Sequence, residues 1–559
     1  MTDTGALVRE AMALANAGED QAAQERFSAA LARFPNDARV ANSAGNFHAR
    51  ARRNETALVH FLRALELEPN FTEATANAGI VYLRLNQPEK LLQLFTSRLE
   101  TGHWTAQLWA LRADAERLSN ALDCASTSYA EALKLDPANK RALIGRARLS
   151  LERGETRAIA DFQQCLTQSP GDPEIFCDYV EALAANDLLD EARQSAAALV
   201  SQLPAWPRGH LLFAELAWAA GEREQFDREL CRAVESAPSP ELYLAWGSLL
   251  AGAGQHGRAA EILDKALSNW PNNQDLALNC AICLGEAGDT QRAASLYKMF
   301  DTAASLDWSV AYARHLIQLG AFEEAECLLG DIIQANDNPV EAWALIDICW
   351  RTMNDPRHAW LHGQAGLVQA VPLNIARSQL DAIAELLLHL HQRSYEPFSQ
   401  SIRGGSQTKG ALLNRVEPEL KALRNALQEA LQTYRAGLPE RDDRHPLLSR
   451  RDSAWDISGS WSILMNGIGQ HVSHVHPQGL LSSACYIILP DGIGTKSQGG
   501  LLELGRPPSQ LAPQLDPLTT ICPAVGHCAL FPSTLFHGTQ PISGGRRMSV
   551  AFDVTAAAV

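Results

Sequence analysis

The sequence has no stretch of 18 consecutive apolar residues, and its start (Met1-Thr-Asp-Thr-Gly-Ala-Leu-Val-Arg-Glu) has no basic segment followed by an apolar one. The first absence speaks against a membrane-spanning helix and the second against a secretory leader, so a cytoplasmic chain with no membrane partner is expected. Positive charge is also in short supply: 48 Lys and Arg stand against 64 Asp and Glu, a net charge of −16. Such a surface repels phosphate backbones, and no nucleic-acid partner is expected. The 11 cysteines form no framework; Cys280 and Cys283 have CxxC spacing but no second pair to complete a zinc site. Buried reduced thiols are the better reading. Apolar residues, in contrast, are plentiful. At 46% apolar and 20% charged, the 559 residues exclude disorder and suffice for several domain-sized units or a repeat array.

A repeat array occupies the first two thirds. Ala23, Phe27, Ala30 and Pro35 recur 34 positions on as Ala57, Phe61, Ala64 and Pro69. A degenerate unit around Leu91 and Phe95 follows, and then the pattern returns at Ala125, Tyr129, Ala132 and Pro137. It continues through Ala158/Phe162, Ala192/Ala196, Phe226/Leu230 and Ala259/Leu263, weakens at Ala293/Tyr297 and Ala325/Leu329, and closes near Trp343 to Trp360. Each unit reads as a helix pair. The small residue sits where two helices cross, the large one fills the gap a turn later, and Pro ends the second helix because it cannot donate into the ladder. Segments such as Ala17-Gly18-Glu19-Asp20 supply the turns. Period and pattern resemble the tetratricopeptide repeat over residues 5–360, which implies an all-α solenoid whose concave face suits an extended peptide or protein partner.

After about residue 370 the period disappears. Residues 375–392 and about 418–436 read as amphipathic helices, with a polar, Gly-rich stretch around Arg403-Gly404-Gly405 between them. From Trp455 onward the pattern has period two, with short β-type runs at 460–465, 483–489, 500–504, 527–531 and 548–554 separated by Gly and Pro. Strands at this spacing suggest a sandwich or a small barrel. The whole is therefore an α+β multidomain chain.

Its chemistry is concentrated near the end. His474 and His476 are separated by one residue, and on a strand positions i and i+2 project to one face, so the two imidazoles can converge. His537, 61 residues after His476, can supply a third nitrogen from a neighbouring strand. Ten residues further on, Arg547 and Ser549 again share a face, while Arg546 alternates to the other. A guanidinium fork pointing into a barrel needs an anion, and with a hydroxyl beside it a carboxylate matches.

Gly469-Gln-His471-Val-Ser-His474-Val-His476 resembles the first metal motif of the Fe(II)- and 2-oxoglutarate-dependent dioxygenases. Phe531-Pro-Ser-Thr-Leu-Phe-His537, with Pro541, Gly545, Arg547 and Ser549, resembles the second. Gln400-Ser-Ile-Arg403-Gly-Gly-Ser-Gln407-Thr, His474-Val-His-Pro-Gln-Gly and Ser482-Ser-Ala-Cys-Tyr486 are similar to a bacterial branch fused behind tetratricopeptide repeats. The resemblance implies a double-stranded β-helix (jelly-roll) over 375–559, joined to the repeats by a linker at 361–374. It further implies Fe(II) and 2-oxoglutarate as co-substrate; the fusion to a repeat array then suggests hydroxylation of a peptide or protein side chain presented by the repeats. Carried over by position, His474 and His537 become iron ligands and Arg547 with Ser549 becomes the co-substrate clamp. Tyr486, on the strand after the HxH, becomes either a second co-substrate contact or a plain core tyrosine, and Arg403 and Gln407 line the site.

One position departs from the family. Where it has Asp or Glu this chain has His476, which raises the formal charge of the metal site by one and removes an acceptor. His476 is kept as the third ligand, since Asp491 follows Pro490 at what reads as a turn. Two rivals remain: a repeat scaffold with a vestigial oxygenase domain, and a three-histidine dioxygenase that does not use 2-oxoglutarate.

Overall fold

The computed structural model describes residues 4–96, 104–299, 305–392, 394, 401–493, 499–511 and 515–556; the first three residues and Gln400 of the Gly-rich motif lie outside these ranges. The chain divides into two compact units, Met1–Tyr179 and Val180–Val559.

The first unit is built from helix pairs. In the pair Ala38–Arg50 and Asn54–Leu67, the residues Ala57, Phe61 and Ala64 share a buried face because they lie four and three apart. A Cβ on Gly45 would fall 2.5 Å from the Phe61 ring, so the missing side chain is what admits the aromatic. The turns keep the period too. Gly18, Arg52, Asn86, Asn120 and Gly154 are spaced 34 apart, and all have φ between 54° and 81°. At the first two, the N–H groups of Glu19 and Arg53 donate back to the carbonyls of Leu14 and His48 (3.0 and 2.9 Å), satisfying helix-end acceptors.

The second unit continues the same construction, with left-handed turn residues at Asp187, Gly221, Gly254, Gly288, Gly320 and Asn354 and a last short helix at Arg357–His362. Cys280 and Cys283 lie buried on helix Gln274–Glu286, where burial pushes their thiols up to about 12 and about 11. Such thiols are poor metal ligands and poor nucleophiles.

Among the described residues nine strands follow: β1 (Gln369–Pro372), β2 (Ile402–Gln407), β3 (Trp455–His471), β4 (Leu481–Ile488), β5 (Leu502–Leu504), β6 (Thr519–Ile521), β7 (His527–Pro532), β8 (His537–Thr539) and β9 (Arg546–Ala556). They form a six-stranded sheet ordered β1-β7-β4-β9-β3-β2 and a three-stranded sheet ordered β6-β5-β8, with every pair antiparallel. Helices Arg377–His391 and Pro418–Ala436 cover the larger sheet. Period two sorts β9 between its faces. Met548, Val550, Phe552 and Val554 enter the core under the helices, in one cluster with Ile383, Leu427 and Tyr434, whereas Arg547, Ser549, Ala551 and Asp553 face a cavity.

Several boundaries differ from expectation. The stretch expected as a linker, 361–374, carries β1, which pairs with β7 at the sheet edge. The Gly-rich stretch around Arg403 is a strand with a bulge, β2 on β3. The runs near 460 and 548 extend outward into β3 and β9, because pairing with each other satisfies backbone well beyond the alternating apolar segment. The compact units also fail to divide at residue 360, since the last repeats pack on the strands. His362 bridges Asp347 (3.1 Å) and the Thr534 hydroxyl (2.9 Å), and Arg351 donates to the Asp516 carbonyl at 2.5 Å. Among the described residues no helix is long and apolar enough to cross a membrane.

Two histidines fasten the helical cover. His391 lies between the hydroxyls of Ser406 and Ser462 (2.9 and 3.0 Å), and His445 Nε2 donates to the Leu361 carbonyl at 2.9 Å. Burial lowers both from the ordinary 6.5 to about 4. Between those values the unfolded chain binds protons that the fold refuses, so stability is full above about pH 6.5 and falls as pH drops towards 4. Each shift is worth on the order of 3 kcal/mol over that window. Urea unfolding between pH 7 and 4.5 is expected to show this decline, with a shallower pH slope in His391→Gln.

Candidate metal centre

The site is assembled where β3 leaves the larger sheet. Beyond His471 the chain turns, and His474 forms an isolated antiparallel bridge with His537: His474 N–H donates to the His537 carbonyl (3.1 Å) and His537 N–H to that of His474 (2.9 Å). His474 and His476 therefore do not share a strand face, as the sequence suggests. The turn 472–476 lies outside any strand, and the bridge fixes its position. The three histidines nonetheless converge, each offering a ring nitrogen within 4.8 Å of the others. Nε2 of His474 and Nε2 of His476 are 3.0 Å apart.

Their other nitrogens are all engaged outward. His474 Nδ1 donates to the Val472 carbonyl (2.9 Å), His537 Nδ1 to the Leu535 carbonyl (3.1 Å), and His476 Nδ1 to the Asp553 carboxylate. A neutral imidazole that donates through Nδ1 carries a bare lone pair on Nε2. Burial lowers His474 to about 4 and His537 well below its ordinary value, so both are neutral at pH 7. The bare nitrogens of His474 and His537 thus converge with a ring nitrogen of His476. The Ser401 hydroxyl, 3.3 Å from His474 Nε2 and 3.2 Å from His471 Nδ1, can donate to only one acceptor at a time. Two nitrogens bound at right angles to one ion, at the ~2.1 Å usual for a metal–imidazole bond, stand about 3 Å apart. This donor set fits a divalent cation, and imidazole suits iron.

Beside the triad lies an unbalanced charge. Arg547 on β9 is 3% exposed; its Nη1 donates to the Gly500 carbonyl (2.9 Å), and among the described residues no carboxylate pairs with it. Burial lowers its pKa from the ordinary arginine value. Its guanidinium lies 5.6 Å from the centre of the Tyr486 ring, and the buried Tyr486 hydroxyl has no hydrogen-bond partner among the described residues. Ser549, two residues on, faces the same cavity. A buried cation with free donors and a neighbouring hydroxyl is chemically suited to a carboxylate.

The cavity measures about 770 Å³, and its walls include Trp461, Phe531 and Leu502. It is bordered by the β strands and also by His256 and Arg314 of the repeat helices. Gln407 lines it. Arg403 does not: it is exposed, with Nη1 on the Ile402 carbonyl at 2.8 Å. The two share parity along β2, but a bulge between Arg403 and Gly405 shifts the register and separates them. Asp491 is exposed in the turn after β4, away from the cavity lining.

The sequence reading missed Asp553, behind His476, for a simple reason: it is a lone acid in an apolar strand, 77 positions away. It also missed Val475 and Phe536. These sit beside the converging histidines and pack into a core built mainly from repeat helices, with Ile348, Trp350 and Leu361.

Residues 459–553 match the family model described as "Putative 2OG-Fe(II) oxygenase", and residues 8–70 and 250–301 match tetratricopeptide-repeat models. The chain thus carries tetratricopeptide repeats in its N-terminal and middle parts and, behind them, a domain of the 2-oxoglutarate–Fe(II) oxygenase type. No curated protein matches it. Similar solved structures include PilW, a type IV pilus biogenesis factor (17% identity, 37% of this chain and 96% of that one, TM-score 0.34). A tetratricopeptide repeat protein from Parabacteroides merdae is similar at 17% identity, over 50% of this chain and 98% of that one, with TM-score 0.34. PilF of Pseudomonas aeruginosa is similar at 20% identity, over 37% and 94%, with TM-score 0.31.

Two substitutions probe this arrangement. Tyr486→Phe removes an unpartnered buried hydroxyl and is expected to leave stability unchanged or raise it by up to about 1 kcal/mol in urea unfolding. Phe536→Ala is expected to cost about 3–5 kcal/mol, because it opens a cavity between the repeats and the His537 turn.

Proposed function

We propose that this chain is an Fe(II)- and 2-oxoglutarate-dependent oxygenase that hydroxylates a peptide or protein side chain presented by the repeat helices. The observation that carries this reading is the pairing, in one cavity, of three converging histidine nitrogens with a buried arginine that no carboxylate among the described residues neutralises. When bound, Fe(II) supplies the O2 chemistry that converts 2-oxoglutarate to succinate and CO2 and oxidises a C–H bond.

The chain's own residues do the rest. His474, His476 and His537 hold the ion, with tautomers set by their Nδ1 partners. Arg547 grips the distal carboxylate of 2-oxoglutarate through its free donors, with Ser549 and the Tyr486 hydroxyl as further polar contacts. Anion binding relieves the guanidinium of its buried, uncompensated charge. Phe531, Leu502 and Trp461 keep water from the reacting groups. His256 and Arg314 support a substrate path along the repeats, because a molecule in the cavity touches both parts of the unit.

Anaerobic titration with Fe(II) and 2-oxoglutarate tests this. A weak visible charge-transfer band is expected in the wild type and is expected to vanish in His537→Ala. In Arg547→Ala the half-saturating 2-oxoglutarate concentration should rise at least ~30-fold, the value of a buried charge-assisted pair. Absence of both band and tight metal binding would leave the scaffold reading. Tight metal without a band would point to a three-histidine dioxygenase that does not use 2-oxoglutarate, to which the imidazole at position 476 is suited.

A further inference from the structure

The all-histidine donor set poses an electrostatic problem. A dication held by three neutral imidazoles keeps its full charge, whereas a carboxylate ligand would cancel one unit. Near the triad, the acid that lines the cavity is Asp553, on the inward face of β9. Its Oδ1 accepts from Nδ1 of His476, the very residue that stands where the resembled family has a carboxylate. His474 and His537 both donate to neutral backbone carbonyls instead. Anionic support is therefore given to one imidazole of the three. Both side chains of the pair are mostly shielded, 15% exposed for His476 and 21% for Asp553, so water screens the contact only weakly.

We propose that Asp553 is the positioning residue of the metal centre, supplying through His476 the negative charge and the tautomer that a directly bound carboxylate would otherwise provide. The inference rests on the metal-binding reading above. A carboxylate behind the ring keeps the proton on Nδ1 and Nε2 bare, makes the ring a stronger donor, and offsets one positive charge from one bond further out. The HxH motif is on this account a relocation of the acid from the ion to the second residue of a relay, with β9 delivering it. Ala551, also on the inward face, and Phe552, on the core face, hold the strand in register against β3, where Asp553 pairs with Gly459.

The test is anaerobic calorimetric titration of the full chain with Fe(II) alone, with a parallel Co(II) titration read by its visible d–d bands. Asp553→Asn keeps the shape and an acceptor oxygen but removes the charge; Asp553→Leu removes both. Asp491→Asn, in an exposed turn, is the control. Fe(II) affinity is expected to fall about tenfold in Asp553→Asn and up to about 100-fold in Asp553→Leu, within the range for outer-shell partners. The Co(II) bands should shift in Asp553→Asn, a change that mere loss of packing would not cause. Wild-type affinity and wild-type bands in a folded Asp553→Asn would overturn the proposal while leaving the oxygenase reading intact. A loss as complete as in His537→Ala would make Asp553 a direct ligand and overturn it likewise. A wild type that binds no Fe(II) would sink the metal reading itself.

Discussion

Two backbone hydrogen bonds, exchanged between His474 and His537, hold the rest of the site in place. Each histidine-bearing segment is short: one is a turn that has left β3, the other the start of a three-residue strand. Neither segment could by itself fix a ring to a fraction of an ångström, as the proposed metal binding demands. The bridge ties them directly, so both rings inherit one geometry. Gly538 makes the approach feasible, because a Cβ there would fall 3.0 Å from the His471 carbonyl oxygen and 3.1 Å from the Ser473 nitrogen. Closing so long a loop is entropically costly, and the pairing of β3 and β8 within their sheets helps to offset that cost.

Around this bridge the cavity concentrates polar groups that gain little from one another. Among the described residues Arg547 is buried without a carboxylate and the Tyr486 hydroxyl has no partner, and three histidine ring nitrogens converge. Each is a destabilising arrangement in the free protein. Bound ligands of opposite character would stabilise all of them together, and by mass action the folded state with them. Local instability at this place is thus intelligible as readiness to bind.

How far the sequence reveals this depends on the range of each interaction. The repeats are legible because their determinants are local: Ala57, Phe61 and Ala64 meet on one helix face, and the turn residues from Gly18 to Gly154 sit within the same period. His474, His476, His537 and Arg547 stand out by residue type and spacing. The bulge that turns Arg403 away from Gln407 leaves no clear mark, since a Gly-Gly pair is compatible with a loop as well as with β2. Asp553 is invisible for the opposite reason. Its strand is plain from the alternation, but nothing in a one-dimensional pattern says that β9 runs behind the turn that carries His476.

Read from the sequence, the repeats and the oxygenase-type domain are separate modules, and the expected linker at 361–374 fits that view. Packing in the second unit argues against it. Val475, between the two histidines of the HxH motif, and Phe536, immediately before His537, both lean on the core formed by helices Leu306–Gln318, Phe322–Ala335 and Val340–Thr352. The Thr534 hydroxyl in the same turn is held by His362, itself held by Asp347. The strands supply the sheet that carries Arg547 and Asp553, while the last repeats brace the turns that carry the converging histidines. A strain in those helices would reach the rings through one or two side chains. On this view the repeats adjoining the strands are a wall of the site, and the histidine cluster belongs to the junction of the two parts.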